Sequence, residues 1–210
     1  MNRNEKTSAL ISESLLSIRE RLRSDQILAS DAALKAIRLC RMLFSETRLA
    51  PITRELLGYS TEQAQVELEL ITLIEEDSNA NPAKQCIARH RLISGFRLPL
   101  FVTLRQAQER KARPNVTREQ RFCGLTAMEI EAIATELAKS KAPYVVLEGF
   151  DDENGVFVCK SKDFKAMHQG LKKLIIGLID VILFELQSEG HPLTSKPSSE
   201  PDEMSTSNVD

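Results

Sequence analysis

The chain has no tryptophan, and aromatic residues make up only 5% of its 210 positions. An interior with so few large rings has to be built from Leu, Ile, Val and Ala, a composition that favours helices. Cysteine pairs are missing too: Cys40, Cys86, Cys123 and Cys159 stand far apart with no CxxC among them. A zinc site needs two ligand pairs, and Cys86 with His90 supplies the spacing of only one. The four are therefore expected to be reduced, mostly buried thiols, and no metal or cofactor is expected. None of the eight glycines is clustered ahead of a helix, which excludes a glycine-rich phosphate cradle. Long apolar runs are absent as well. The most apolar stretch, Leu174 to Leu186, contains Asp180 and falls short of the roughly 20 residues that cross a bilayer. The first ten residues have no apolar segment of the kind a signal peptide carries, so a cytoplasmic protein with no membrane partner is expected. Nor is there a charge excess: the net charge is −2 and the pI about 6.0, so no global field draws the molecule to nucleic acid.

What is present is helical periodicity. Ile11, Leu15, Ile18 and Leu22 recur at three- and four-residue steps and predict a helix from about Ser8. Ser30 is read as the cap of a second helix that buries Leu34, Ile37, Cys40 and Phe44. Pro51 in a first turn and Gly58 past a last turn bracket a short helix, Ala50 to Leu57. Ser60 then caps a fourth, which is read as burying Val66, Leu70, Leu73 and Ile74. Beyond Pro82, Ile87 to Ser94 and Phe96 to Leu104 read as strands. Arg105 to Arg121 reads as a basic linker or exposed loop. Thr126 and Glu129 form a capping box that opens a further helix. Tyr144 to Phe150 and Val156 to Lys160, joined through Asn154-Gly155, predict a hairpin. Phe164 to Leu186 is the last helix, apolar on most sides, and the Ser-, Pro- and acid-rich tail after Ser188 is expected to be disordered.

The fold class that follows is α+β. A mostly helical bundle and strands occupy residues 8–104, the basic linker 105–121, and a helix, hairpin and buried helix 122–187, the two halves forming either one domain or two.

Catalytic signatures are not found. His90, His168 and His191 are widely separated, the carboxylates read as exposed faces of helices, and Asp151 to Asn154 lacks the spaced order of a calcium loop. Asp180, alone in an apolar helix, is expected to be paired or exposed. The most asymmetric feature is charge. Lys84 to Arg121 carries ten basic and two acidic residues, whereas Glu55 to Asp77 carries seven acids and no base. Arg105, Arg110, Lys111, Arg113, Arg118 and Arg121 are the candidates for phosphate contacts. The competing reading is a solvated loop whose arginines pair with acids of the same chain, since no aromatics interleave them for base stacking.

Glu55-Leu56-x-Gly58-Tyr59, preceded by the Ala-, Leu- and Arg-rich helix Ala33 to Leu43 and followed by His90-Arg91, resembles the AbiTii domain of bacterial abortive-infection proteins. The likeness covers about residues 24–96. It departs from that pattern where Pro51-Ile52 replace an early Trp and His90 replaces a Tyr. The resemblance implies a role in anti-phage defence and assigns no reaction. Tyr59 is read as covering the helix end beyond Gly58, its hydroxyl on a polar partner.

The leading expectation is thus a non-enzymatic interaction or regulatory protein that forms a homo-oligomer or binds a protein partner. Tyr59, Arg91, Leu174, Leu178 and Ile182 are its candidate interaction residues. Nucleic-acid binding through the basic segment is the alternative, and an enzyme without a local motif is the second alternative.

Overall fold

A computed structural model describes residues 3–76, 89–98, 118–152 and 155–189. Among them are six helices and a four-stranded antiparallel sheet, the α+β class expected. The elements are α1 (Arg3–Arg23), α2 (Ala29–Cys40), α3 (Glu46–Leu57), α4 (Thr61–Glu76), β1 (Leu92–Leu98), β2 (Arg118–Phe122), α5 (Ala127–Ser140), β3 (Tyr144–Asp152), β4 (Gly155–Lys160) and α6 (Ser161–Glu189); a short 3₁₀ turn, Arg89–Arg91, precedes β1.

The centre is α6. Phe164, Met167, Leu171, Ile175, Ile179, Ile182, Leu183 and Leu186 line its buried face at the spacing of one helical stripe. Against it pack α1 through Ile11, Leu15, Ile18 and Leu22, the small-residue face of α2, and one face of the sheet through Ile93, Val145, Leu147, Phe157 and Cys159. Both halves of the chain share this one cluster. Each fully buried Leu or Ile contributes about 1.5–3 kcal/mol relative to exposure, so aliphatic residues supply the driving force that rings do not. Asp180 is paired as expected: Arg19 Nη1 donates to it at 2.7 Å and Arg23 lies at 3.5 Å, which ties α1 to α6.

The sheet has the order β2-β1-β4-β3. Its register places Leu92 opposite Phe122, Gly95 opposite Cys159 and Tyr144 opposite Lys160. Position 95, buried in mid-strand, takes glycine because a Cβ there would overlap the Phe157 ring and the Val158 carbonyl. On the sheet's other face, Phe122 and Leu92 meet Tyr59, Ala64, Leu68 and Ile71, so α4 covers the β2 side.

The structure corrects several boundaries. Helix α3 begins at Glu46, not Ala50, so Pro51 lies inside it. Ser45 opens the helix with its carbonyl, which accepts from Arg48 and Leu49 N–H. Ser30 is not a cap: it lies within α2, buried, with Leu28 at the cap position. Leu34 is on the exposed side of α2, which is buried instead through alanines. In α4, Val66 and Leu70 face outward and Ala64, Leu68 and Ile71 pack inward; the placing of Leu73 and Ile74 lies outside the described side chains. The two strand candidates around Gly95 are one strand, and residues 99–104 lie outside the described residues. Residues 118–122 are an edge strand, not loop, because Phe122 anchors them under Tyr59. The expected tail after Ser188 lies outside the described residues apart from Glu189, which ends α6. The Ser60 cap is found, with Gln63 answering it, as are the Thr126–Glu129 capping box and the hairpin.

Gly58 adopts φ +79°, and a Cβ there would overlap the Gly124 carbonyl. Gly58→Ala is expected to cost about 2–4 kcal/mol, combining left-handed strain with that overlap, as read by chemical denaturation. Burial pushes the Cys40 and Cys123 thiols up to about 11 and that of Cys159 to about 12. In the folded protein at about pH 8 these three thiols are expected to resist a disulfide reagent and to react only on unfolding; fast reaction at any of them would contradict the packing.

Candidate functional site

The densest polar cluster lies where α3 ends. Arg91, fully buried in the 3₁₀ turn, makes four hydrogen bonds through its three nitrogens. Nε donates to Glu55 Oε2 at 2.9 Å, and Nη2 lies 2.8 Å from the same oxygen and donates to the Glu55 carbonyl at 3.0 Å. Nη1 donates to the carbonyls of Cys123, at 3.1 Å, and Leu125. Its guanidinium also stacks 4.9 Å above the Tyr59 ring. Glu55, equally buried, accepts the Tyr59 hydroxyl on Oε1 at 2.6 Å and faces His90 Nε2 from Oε2 at 3.2 Å. Since an ionised carboxylate only accepts, His90 carries its hydrogen on Nε2. Its Nδ1 is buried with no hydrogen-bond partner among the described residues, and the His90 side chain rests against Gly170 of α6.

The sequence explains how these groups meet. Glu55 follows Leu49 and Ile52 on the inward side of α3, and Gly58 reverses the chain so that Tyr59 returns over it. Tyr59 N–H then bonds to the Gly124 carbonyl, and Cys123 N–H to the Arg91 carbonyl, so the backbone joins the same three segments that the guanidinium does. Desolvation alone would raise the Glu55 pKa. The hydrogen bond from His90, the charge of Arg91 and the Tyr59 hydroxyl outweigh it and hold the carboxyl below its usual 4.5. The Tyr59 hydroxyl is pushed far up by burial and by Glu55, so it stays protonated and donates.

A second buried acid was not foreseen. Glu131 of α5 stands in the apolar stripe Ala127, Ile130, Ala134, Leu137 and is 4% exposed. Its Oε1 accepts from Ala29 N–H at 2.5 Å and Ser30 N–H at 3.2 Å, and its Oε2 from the Ser30 hydroxyl. A carboxylate from another helix thus caps α2, where its free N–H groups and dipole favour negative charge. An acid interrupting an apolar stripe is the signal that could have found it. Glu55 and Glu131 both overturn the reading of the carboxylates as exposed.

The remaining candidates scatter. Tyr59 and Arg91 are brought together, but as buried partners of Glu55. Arg105, Arg110, Lys111 and Arg113 lie outside the described residues. Arg118 is in β2, opposite Phe96. Arg121 is half-buried, donates to Glu119 at 3.1 Å and stacks over the Phe157 ring at 5.7 Å, and Arg97 reaches the same Glu119 at 3.5 Å. Ile182 is core, while Leu174 and Leu178 are half-buried on α6. Among the described residues no group of three metal-ligating side chains occurs, and no helix is long and apolar enough to cross a membrane.

No family model matches the chain, and neither the curated proteins nor the solved structures contain a match.

Removing one partner of a buried ion pair leaves the other uncompensated. Arg91→Met and Glu55→Gln are each expected to lose about 3–5 kcal/mol, and Arg91→Lys most of that, because an ammonium cannot reach all four acceptors. With its folded pKa lowered, Glu55 contributes stability that is present above about pH 4.5 and lost as pH falls through the folded value. Melting temperatures taken from about pH 6 down to about pH 3 should fall less steeply for Glu55→Gln than for the native chain; parallel slopes would contradict the assignment.

Proposed function

We propose that this chain is a non-enzymatic interaction or regulatory protein of the cytoplasm. It acts by associating with a second copy or a protein partner, in the anti-phage setting that the AbiTii likeness implies. The observation that carries this reading is where the polar groups are spent. The side chains best equipped for acid–base work are bonded to one another and to the backbone: Glu55, Tyr59 and Arg91 are buried, and His90 is partly so. The apolar side chains of Met42, Leu57, Val181 and Phe184 are left exposed. Association uses apolar surface that folding has left uncovered, whereas catalysis needs reactive groups that a substrate can reach. Arg97 of β1 and Arg121 of β2 turn to Glu119 of their own chain, which gives the nucleic-acid reading no added support.

The test is size-exclusion chromatography with light scattering, with and without mixed DNA and RNA oligonucleotides, at low and physiological salt. A discrete protein assembly indifferent to nucleic acid is expected. A salt-sensitive shift onto nucleic acid would transfer the function to the basic segment instead.

A further inference from the structure

We infer that the outer ridge of α6 is a self-association seam that takes a second copy of this chain in an antiparallel pairing; this rests on the associative reading above and names its surface. Lys173, Gly177, Val181 and Glu185 stand four residues apart. They therefore form one of the rows along which helices pack into each other's grooves. The row starts opposite the buried stripe of α6, with Lys173, Gly177 and Val181 exposed, and turns toward its flank, where Glu185 is half-buried. Val181 is 55% exposed, Phe184 beside it 70%, and a Cβ placed on Gly177 would meet nothing within 4 Å. Half-buried Leu174 and Leu178 flank the row on the side away from Asp180.

The row is complementary to itself when reversed. A two-fold axis between two copies of α6, midway between Gly177 and Val181, sets Val181 of each copy into the notch at Gly177 of the other. At the two ends, Lys173 of one copy meets Glu185 of the other, so unlike charges face each other twice. Glu185 lies 4.0 Å from Arg48 of its own chain, a distance that leaves its carboxylate able to accept from Lys173 as well. A parallel pairing would oppose Lys173 to Lys173 and Glu185 to Glu185, and like charges at such positions act against it. The antiparallel arrangement also makes an isologous interface, which closes as a dimer and does not propagate. Asp180 does not interfere, since it turns to Arg19 and Arg23 on α1.

The test is sedimentation velocity of the full chain across a concentration series, with circular dichroism to confirm that each variant is folded. The native chain is expected to dimerise. Phe184→Glu and Gly177→Gln are expected to weaken the dimer by about tenfold or more. Gly177→Gln replaces a helix-weakening residue in open space, so its folding is not at risk. Lys173→Glu alone and Glu185→Lys alone are expected to weaken the dimer, and the double reversal to restore it to within about threefold, since it returns unlike charges to both ends. Failure of the double reversal to restore association would overturn the antiparallel register. A dimer that none of these variants moves would overturn this seam and leave association standing through another face. A native chain that stays monomeric at about 100 µM, a concentration at which even weak specific dimers form, would overturn the seam and the self-associative reading together.

Discussion

The fold turns on one buried ion pair. Moving a guanidinium and a carboxylate out of water is costly, and the cost is offset only where every polar atom finds a partner. Arg91 and Glu55 meet that condition by recruiting three segments that are distant in sequence: the end of α3, the turn before β1 and the link from β2 into α5. Each partner fixes a position more tightly than apolar packing would, because a displaced carbonyl leaves an N–H of Arg91 unsatisfied. The glycine at position 58 follows from this requirement. It is what lets the chain reverse closely enough for Tyr59 to close over the pair.

Glu131 performs the same kind of task elsewhere. Both buried acids hold backbone, one through an arginine and one directly at the start of α2. In a core of Leu, Ile and Ala, where many packings have similar energies, two such anchors give the helices a defined register. That division of labour explains why groups with catalytic chemistry are present and yet enclosed. They act on the chain's own backbone.

Periodicity made the buried face of α1 legible from the sequence, and local chemistry made the caps at Ser60 and Thr126 and the pairing of β3 with β4 legible as well. All of these are interactions between residues close together along the chain. Misreadings arose where a distant residue decided the outcome. Ser30 has every property of a cap, but Glu131, about a hundred positions away, takes that role. Val66 and Leu70 fit an apolar stripe as well as Leu68 and Ile71 do; Phe122 selects between them. Of the candidate site, the Tyr59 hydroxyl was legible as needing a polar partner. Its partner was not, because Glu55 reads as a surface acid until Arg91, 36 residues on, is placed beside it.

The position of α6 bears on how the protein is made. The helix that α1, α2, α3 and the sheet all pack against is the last described element to leave the ribosome. Until it emerges, the helices made first have no common surface to close upon. The bridges Arg19 to Asp180 and Lys172 to Asp25 join residues separated by 161 and 147 positions. Closing such contacts confines almost the whole chain at once, which places the decisive step of folding after synthesis of the core's final turn. Nascent chains therefore carry uncovered aliphatic faces for most of their translation, and their need for chaperone protection is set by the order of the elements along the chain.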